Sequence, residues 1–180
     1  MNEQPKRALI VIDVQQLFFM DANRPVHNSA ALVANLNKLI AKFRENGEPV
    51  IFVRHHEPDE GGLNFGSARW QVYSGLDARA DDVYVEKTHA DSFYRTNLAE
   101  VLAGLGVDSV VLAGLQTDYC VDSTCRSAFG RGLRTTLVSD AHSTYDNSFM
   151  TAEQTIAYHT KLIGGRFAEL RTTGDLTGEV

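Results

Sequence analysis

Positive charge is in short supply. The chain carries 17 Lys and Arg against 23 Asp and Glu, for a formal net charge of -6. No block of basic residues gathers anywhere along it, so the electrostatic footprint of a nucleic-acid binder is missing. Long apolar runs are missing too: no uninterrupted stretch approaches the roughly 20 residues that cross a bilayer. The segment Met1 to Arg7 leads straight into an apolar run, without the apolar core and small-residue cleavage site of a secretory leader. Cysteine is scarce, with only Cys120 and Cys125 present. Both fall on one predicted helix, on different faces, which is a poor geometry for a disulfide. These absences imply a cytoplasmic protein with reduced thiols, bound neither to nucleic acid nor to membrane. No internal repeat or low-complexity tract interrupts the chain, and 180 residues suit a single domain spanning 1–180.

What is present is a repeated alternation of short apolar runs and helical patterns. Ala8 to Ile12 is nearly all apolar, as expected of a parallel strand covered on both faces, and it stops at Asp13. Leu32, Val33, Leu36, Leu39, Ile40 and Phe43 then recur at helical spacing, with Ser29 as cap and Gly47 as stop. Further strands are predicted at Val50 to Val53, Val83 to Lys87, Asp108 to Gly114, Thr135 to Val138 and Phe167 to Leu170. Helices are predicted from Leu98 to Leu105, from the Cys120 region to about Arg131, and from Thr151 to Ile163. The implied architecture is a three-layer α/β/α fold on a mostly parallel six-stranded sheet, Rossmann-like, with right-handed crossovers. The stretch from His55 to about Asp82, with Asp59, Gly61, Gly62, Gly66 and Trp70, has no regular pattern. A loop of that length in a compact protein is commonly functional, and its aromatic content suits a pocket wall.

In a parallel sheet, ligands bind beyond the carboxyl ends of the strands, where strand order reverses. Asp13, Lys87 and Cys120 each fall at or just after such an end. A thiol at the first turn of a helix meets the positive end of the backbone dipole, which favours thiolate and leaves N–H groups for an oxyanion. With Cys120 as nucleophile, Asp13 can relay the proton and Lys87 can bias the ionisation of both. Backbone N–H groups of Gln116 and Cys120 can face the oxyanion.

Three ordered segments carry a resemblance that covers nearly the whole chain. Ile12-Asp13-Val14-Gln15-Gln16-Leu17-Phe18, Glu86-Lys87-Thr88-His89-Ala90-Asp91-Ser92-Phe93 and Gly114-Leu115-Gln116-Thr117-Asp118-Tyr119-Cys120-Val121 are similar to the signature segments of the isochorismatase-like cysteine hydrolases. The resemblance implies that Asp13, Lys87 and Cys120 form a catalytic triad, and that the Leu115–Gln116 peptide is cis and turns the Gln116 N–H toward the oxyanion. It implies hydrolysis of an amide or related C–N bond of a small molecule, with isochorismatase-type cleavage of a vinyl ether, or a nicotinamidase-like amidase, as the alternatives. It also suggests a homo-oligomer, dimer or tetramer, whose neighbouring subunit completes the pocket. Nicotinamidase-like relatives bind a metal after the second strand. Here Arg54-His55-His56-Glu57-Pro58-Asp59 stands there, and adjacent histidines on an extended segment point to opposite sides, so neither metal nor cofactor is expected. Gln15, Phe18, Trp70, Phe93, Tyr119 and Tyr145 are the candidate substrate-binding residues, with Phe19 beside them. Arg69 and Arg95 are candidate partners for a substrate carboxylate.

Overall fold

The computed structural model describes residues 6–57 and 62–178. Asp59, Gly61 and the first residues of the chain therefore lie outside the described residues. Six strands, β1 (Arg7–Ile12), β2 (Val50–His55), β3 (Val83–Lys87), β4 (Ser109–Leu115), β5 (Arg134–Ser143) and β6 (Glu169–Arg171), form one sheet. Every neighbouring pair is parallel, in the order β3-β2-β1-β4-β5-β6. Five helices flank it: α1 (Ser29–Glu45), α2 (Leu98–Gly104), α3 (Asp122–Gly130), α4 (Ala152–Ile163) and α5 (Thr173–Thr177). Among the described residues, no helix is long and apolar enough to cross a membrane.

The two-residue period of a strand explains why β1 reads as a continuous apolar run. Ile10 and Ile12 pack with Ile51, Val53 and Leu112 against Leu98 and Leu102 of α2 and Cys125 and Ala128 of α3. Leu9 and Val11 point the other way, with Phe52, Val111 and Ala113, against Leu36, Leu39, Ile40 and Phe43 of α1. Both faces are dry, so neither set of alternate positions can be polar.

The elements depart from the sequence reading in several places. Asn28, not Ser29, is the N-cap of α1, and its side chain makes no capping bond. β5 continues five residues past Val138 to Ser143, because a register shift between Leu112 and Gly114 lets Gly114 and Leu115 pair with His142 and Ser143. β6 sits at Glu169–Arg171 rather than around Phe167 to Leu170. The short helix α5 carries no long periodic signal and is held by a Thr172 capping box.

The chain runs outward from β1 to β2 and β3, then returns to lay β4 on the other side of β1. Strand order reverses between β1 and β4, and in such sheets ligands bind beyond the carboxyl ends of the strands at that point. Gly114 makes the close junction there possible: at φ 125° a Cβ would stand 2.2 Å from the Ile12 carbonyl oxygen.

Candidate active site

Each of the three groups at the rim is placed by a different strand. Strict alternation would send Asp13 to the α1 face, beside Leu9 and Val11. Its left-handed backbone, φ 49°, ends the strand instead, in a conformation that Asp tolerates better than most side chains. Lys87, the last residue of β3, continues the face of buried Val85 and reaches two strands across. Its Nζ lies 2.6 Å from Asp13 Oδ2, 3.2 Å from Cys120 Sγ and 3.0 Å from the His89 carbonyl oxygen. An ammonium has three protons, and these three acceptors use them all.

The thiol is carried by a π turn, Thr117–Val121, between β4 and α3. Cys120 therefore stands two residues before the first residue of the α-helix. Burial, followed by the negative charge of Asp13, pushes the Cys120 thiol up to about 12, against the lowering influence of Lys87. Burial and the Asp13 charge thus work against the thiolate that the backbone dipole and Lys87 favour. Burial works against the Lys87 ammonium too, but Asp13 and Cys120 together more than offset it and the net shift is upward. Asp13 Oδ1 is buried without a hydrogen-bond partner, and the negative charge of the carboxylate acts on the sulfur. The Leu115–Gln116 peptide is cis, and the Gln116 carbonyl accepts from the N–H groups of Tyr119 and Val121 at 3.2 and 3.1 Å.

The other singled-out residues divide into rim and scaffold. Tyr119, within the thiol turn, is exposed. Tyr145 is half-buried, and its hydroxyl donates to the Phe18 carbonyl oxygen at 2.9 Å, while Phe19 stacks on Tyr73. Arg69 and Arg95 are exposed. Gln15 is not free to bind a substrate. It is fully buried, its Nε2 donates to the carbonyls of His55 and Trp70, and its Oε1 accepts from the His55 N–H. It clamps the long loop to the end of β2. Phe93 is likewise withdrawn into the core with Leu98 and Leu102, with the Arg131 guanidinium over its ring. Trp70 is buried, stacked at 3.7 Å under Arg54, and exposed Phe65 packs against it.

His55 pairs in register with Lys87 and shares its face of the sheet. Burial and then the Lys87 charge lower its pKa, so the imidazole is neutral at pH 7. Its Nε2 lies 3.5 Å from Glu57 Oε1. Among the described residues, no group of three or more His, Cys, Asp or Glu side chains converges as a metal ion would need.

Two further residues bear on the thiol turn and escape sequence reasoning. Thr117 opens the turn and is fully buried, and His142, near the end of β5, meets its hydroxyl. Nothing in the spacing of either residue marks it, because the contact exists only through the bulged continuation of β5.

Comparison with known proteins adds a family to this geometry. The model of the isochorismatase domain matches residues 7–173. The uncharacterised isochorismatase family protein YrdC of Bacillus subtilis is 33% identical over 146 residues, covering 79% of this chain and 76% of that protein. The crystal structure of an isochorismatase family protein superposes with a TM-score of 0.87 at 36% identity, covering 93% of this chain and 98% of the other. N-carbamoylsarcosine amidase from Thermoplasma acidophilum gives a TM-score of 0.76 at 29% identity, over 93% and 96% of the two chains.

Proposed function

The chain belongs to the isochorismatase family of hydrolases, and from that premise we propose that it is a cysteine hydrolase that cleaves an amide or related C–N bond of a small molecule. The observation that carries this reading is the single ammonium of Lys87 shared between the Asp13 carboxylate and the Cys120 sulfur. That arrangement holds a buried acid–base group and a partly exposed nucleophile in fixed relation.

The steps follow from the charges. The resting site holds a thiol, a carboxylate and an ammonium, so attack on the substrate carbonyl transfers the thiol proton to Asp13 as the S–C bond forms. The N–H groups of Gln116 and Cys120 receive the tetrahedral oxyanion. Asp13 then gives its proton to the departing nitrogen as the C–N bond breaks, leaving an acyl thioester on Cys120. A water molecule, losing a proton to Asp13, attacks the thioester, and the acid product leaves as the proton returns to the sulfur. Lys87 keeps Asp13 in place and balances its charge throughout. Similarity to a protein named N-carbamoylsarcosine amidase supports C–N rather than ether cleavage. Exposed Tyr119, in the thiol turn itself, is the candidate pocket side chain best placed to meet the acyl group.

The deciding experiment is a panel of small carboxamides, ureido compounds and isochorismate, with ammonia and acid formation followed together for wild type and Cys120→Ala. Ammonia release by wild type alone supports the proposal. Turnover retained by Cys120→Ala but lost in Asp13→Ala would replace it with an ether hydrolase in which Asp13 is the general acid.

A further inference from the structure

We infer that His142 is a positioning residue of the hydrolase: its Nδ1 holds the Thr117 hydroxyl and so fixes the turn that presents Gln116 and Cys120 to the substrate. The inference rests on the cysteine-hydrolase reading of that turn.

The hydrogen-bond chain has only one consistent direction. Thr160 Oγ1 gives its one proton to the Ile156 carbonyl oxygen at 2.7 Å, so toward His142 Nε2, 3.2 Å away, it can only accept. Nε2 therefore carries the imidazole proton, and Nδ1 is the acceptor. The Thr117 hydroxyl, 2.9 Å from Nδ1, is its donor. Both ring nitrogens are spent, and neither touches Asp13, Lys87 or Cys120. Burial, and then the charge of His159, pushes the imidazole down to about 4 against the opposing influence of Asp140, which agrees with the neutral ring that the hydrogen-bond pattern requires.

The location gives the chain its purpose. The thiol turn has no side-chain cap of its own at its entry, and Thr117 is buried where water cannot replace a lost acceptor. Support comes from outside, along the end of β5. His142 takes Thr117, and Thr144 Oγ1 donates to Asp118 Oδ1 at 2.6 Å. Two consecutive residues of the turn are thus tied to the end of β5 and to Thr144 just beyond it, and the imidazole is braced from behind by α4 through Thr160. A turn released at Thr117 would keep its thiol but let the Gln116 and Cys120 N–H groups drift from the oxyanion.

The two ring nitrogens can be tested separately. His142→Asn leaves an acceptor oxygen near the Nδ1 position and nothing that reaches Thr160. His142→Gln leaves a donor near the Nε2 position and no acceptor for Thr117. Both remove the ring, so a structural role alone predicts equal effects. With p-nitrophenyl acetate as the acylating probe, and the rate of Cys120→Ala subtracted, the Asn variant is expected to acylate within about threefold of wild type. The Gln variant should lose up to about a hundredfold in rate at similar apparent affinity, as a misplacement near 1 Å can cost. Thr117→Ser should follow the Asn variant and Thr117→Val the Gln variant, and this second pair decides the matter if both His142 variants fail to fold. Equal rates within each pair, or a greater loss in the Asn and Ser variants, would overturn the inference. Acylation that is undiminished in Cys120→Ala would instead refute the cysteine-hydrolase reading itself.

Discussion

Asp13→Asn removes a charge and almost no volume, and Asn accepts the left-handed φ of 49° as readily as Asp does. What the substitution exposes is the worth of the buried ion pair. At the observed 2.6 Å, and with an effective dielectric near 20, the attraction amounts to about 6 kcal/mol. An amide oxygen accepting from the same ammonium restores roughly 2 kcal/mol. The net loss of about 4 kcal/mol agrees with the ~3–5 kcal/mol found when one partner of a buried pair is removed. With a urea m-value of about 2 kcal/mol per molar, the unfolding midpoint should fall by about 2 M at pH 7. The pH dependence has a defined sign. In the wild type the Lys87 pKa is raised in the folded state, so its stabilisation is complete below the unfolded value of about 10.4 and is lost as pH rises through the folded value. In the variant, burial is opposed only by Cys120, the folded pKa falls below the unfolded one, and stability rises with pH between the two. The difference between wild type and variant should therefore be largest near neutrality and narrow toward pH 10. Urea titrations followed by tryptophan fluorescence at pH 7 and pH 9.5 measure both effects. A midpoint shift below about 0.5 M, or one equal at the two pH values, would refute the argument. Turnover should also drop by about 10²–10⁴-fold, the usual contribution of a general acid–base group.

Two further outcomes follow from the same geometry. Because the Cys120 thiol is pushed up to about 12, its labelling by iodoacetamide, read by peptide mass mapping, should accelerate about tenfold per pH unit between pH 7 and 10. Fast, pH-independent labelling near neutrality would reveal a resting thiolate. Gly114→Ala drives a Cβ to 2.2 Å from the Ile12 carbonyl oxygen and should cost more than about 4 kcal/mol. A thermal melt like that of the wild type would show that β1 and β4 approach less closely than described.

Much of the fold was legible because burial on both faces leaves an unmistakable apolar run. Ala8 to Ile12 and Val110 to Ala113 could be read as covered strands without any partner in view. The second half of β5 could not be read this way. His142 and Ser143 extend no apolar run, and they are strand residues because Gly114 and Leu115 offer backbone partners across a register shift. The candidate site was legible to a similar degree. Asp13, Lys87 and Cys120 stand at strand ends, which is a linear property. Gln15 and Phe93 have the residue types of a binding pocket, yet hydrogen bonding to two carbonyls and packing against α2 turned them inward.

The order of apolar and polar residues was enough, by itself, to set the alternation of strand and helix and to put three reactive groups at strand ends, since those are local consequences of periodicity. The distances among those groups came from the tertiary structure alone. So did the upward pressure on the Cys120 pKa and the contact of His142 with Thr117, because the charged groups of β1 and β3 and the end of β5 lie far from the thiol turn along the chain. Electrostatic energy depends on separation in space and on exclusion of water, and neither quantity is written in the spacing of residues.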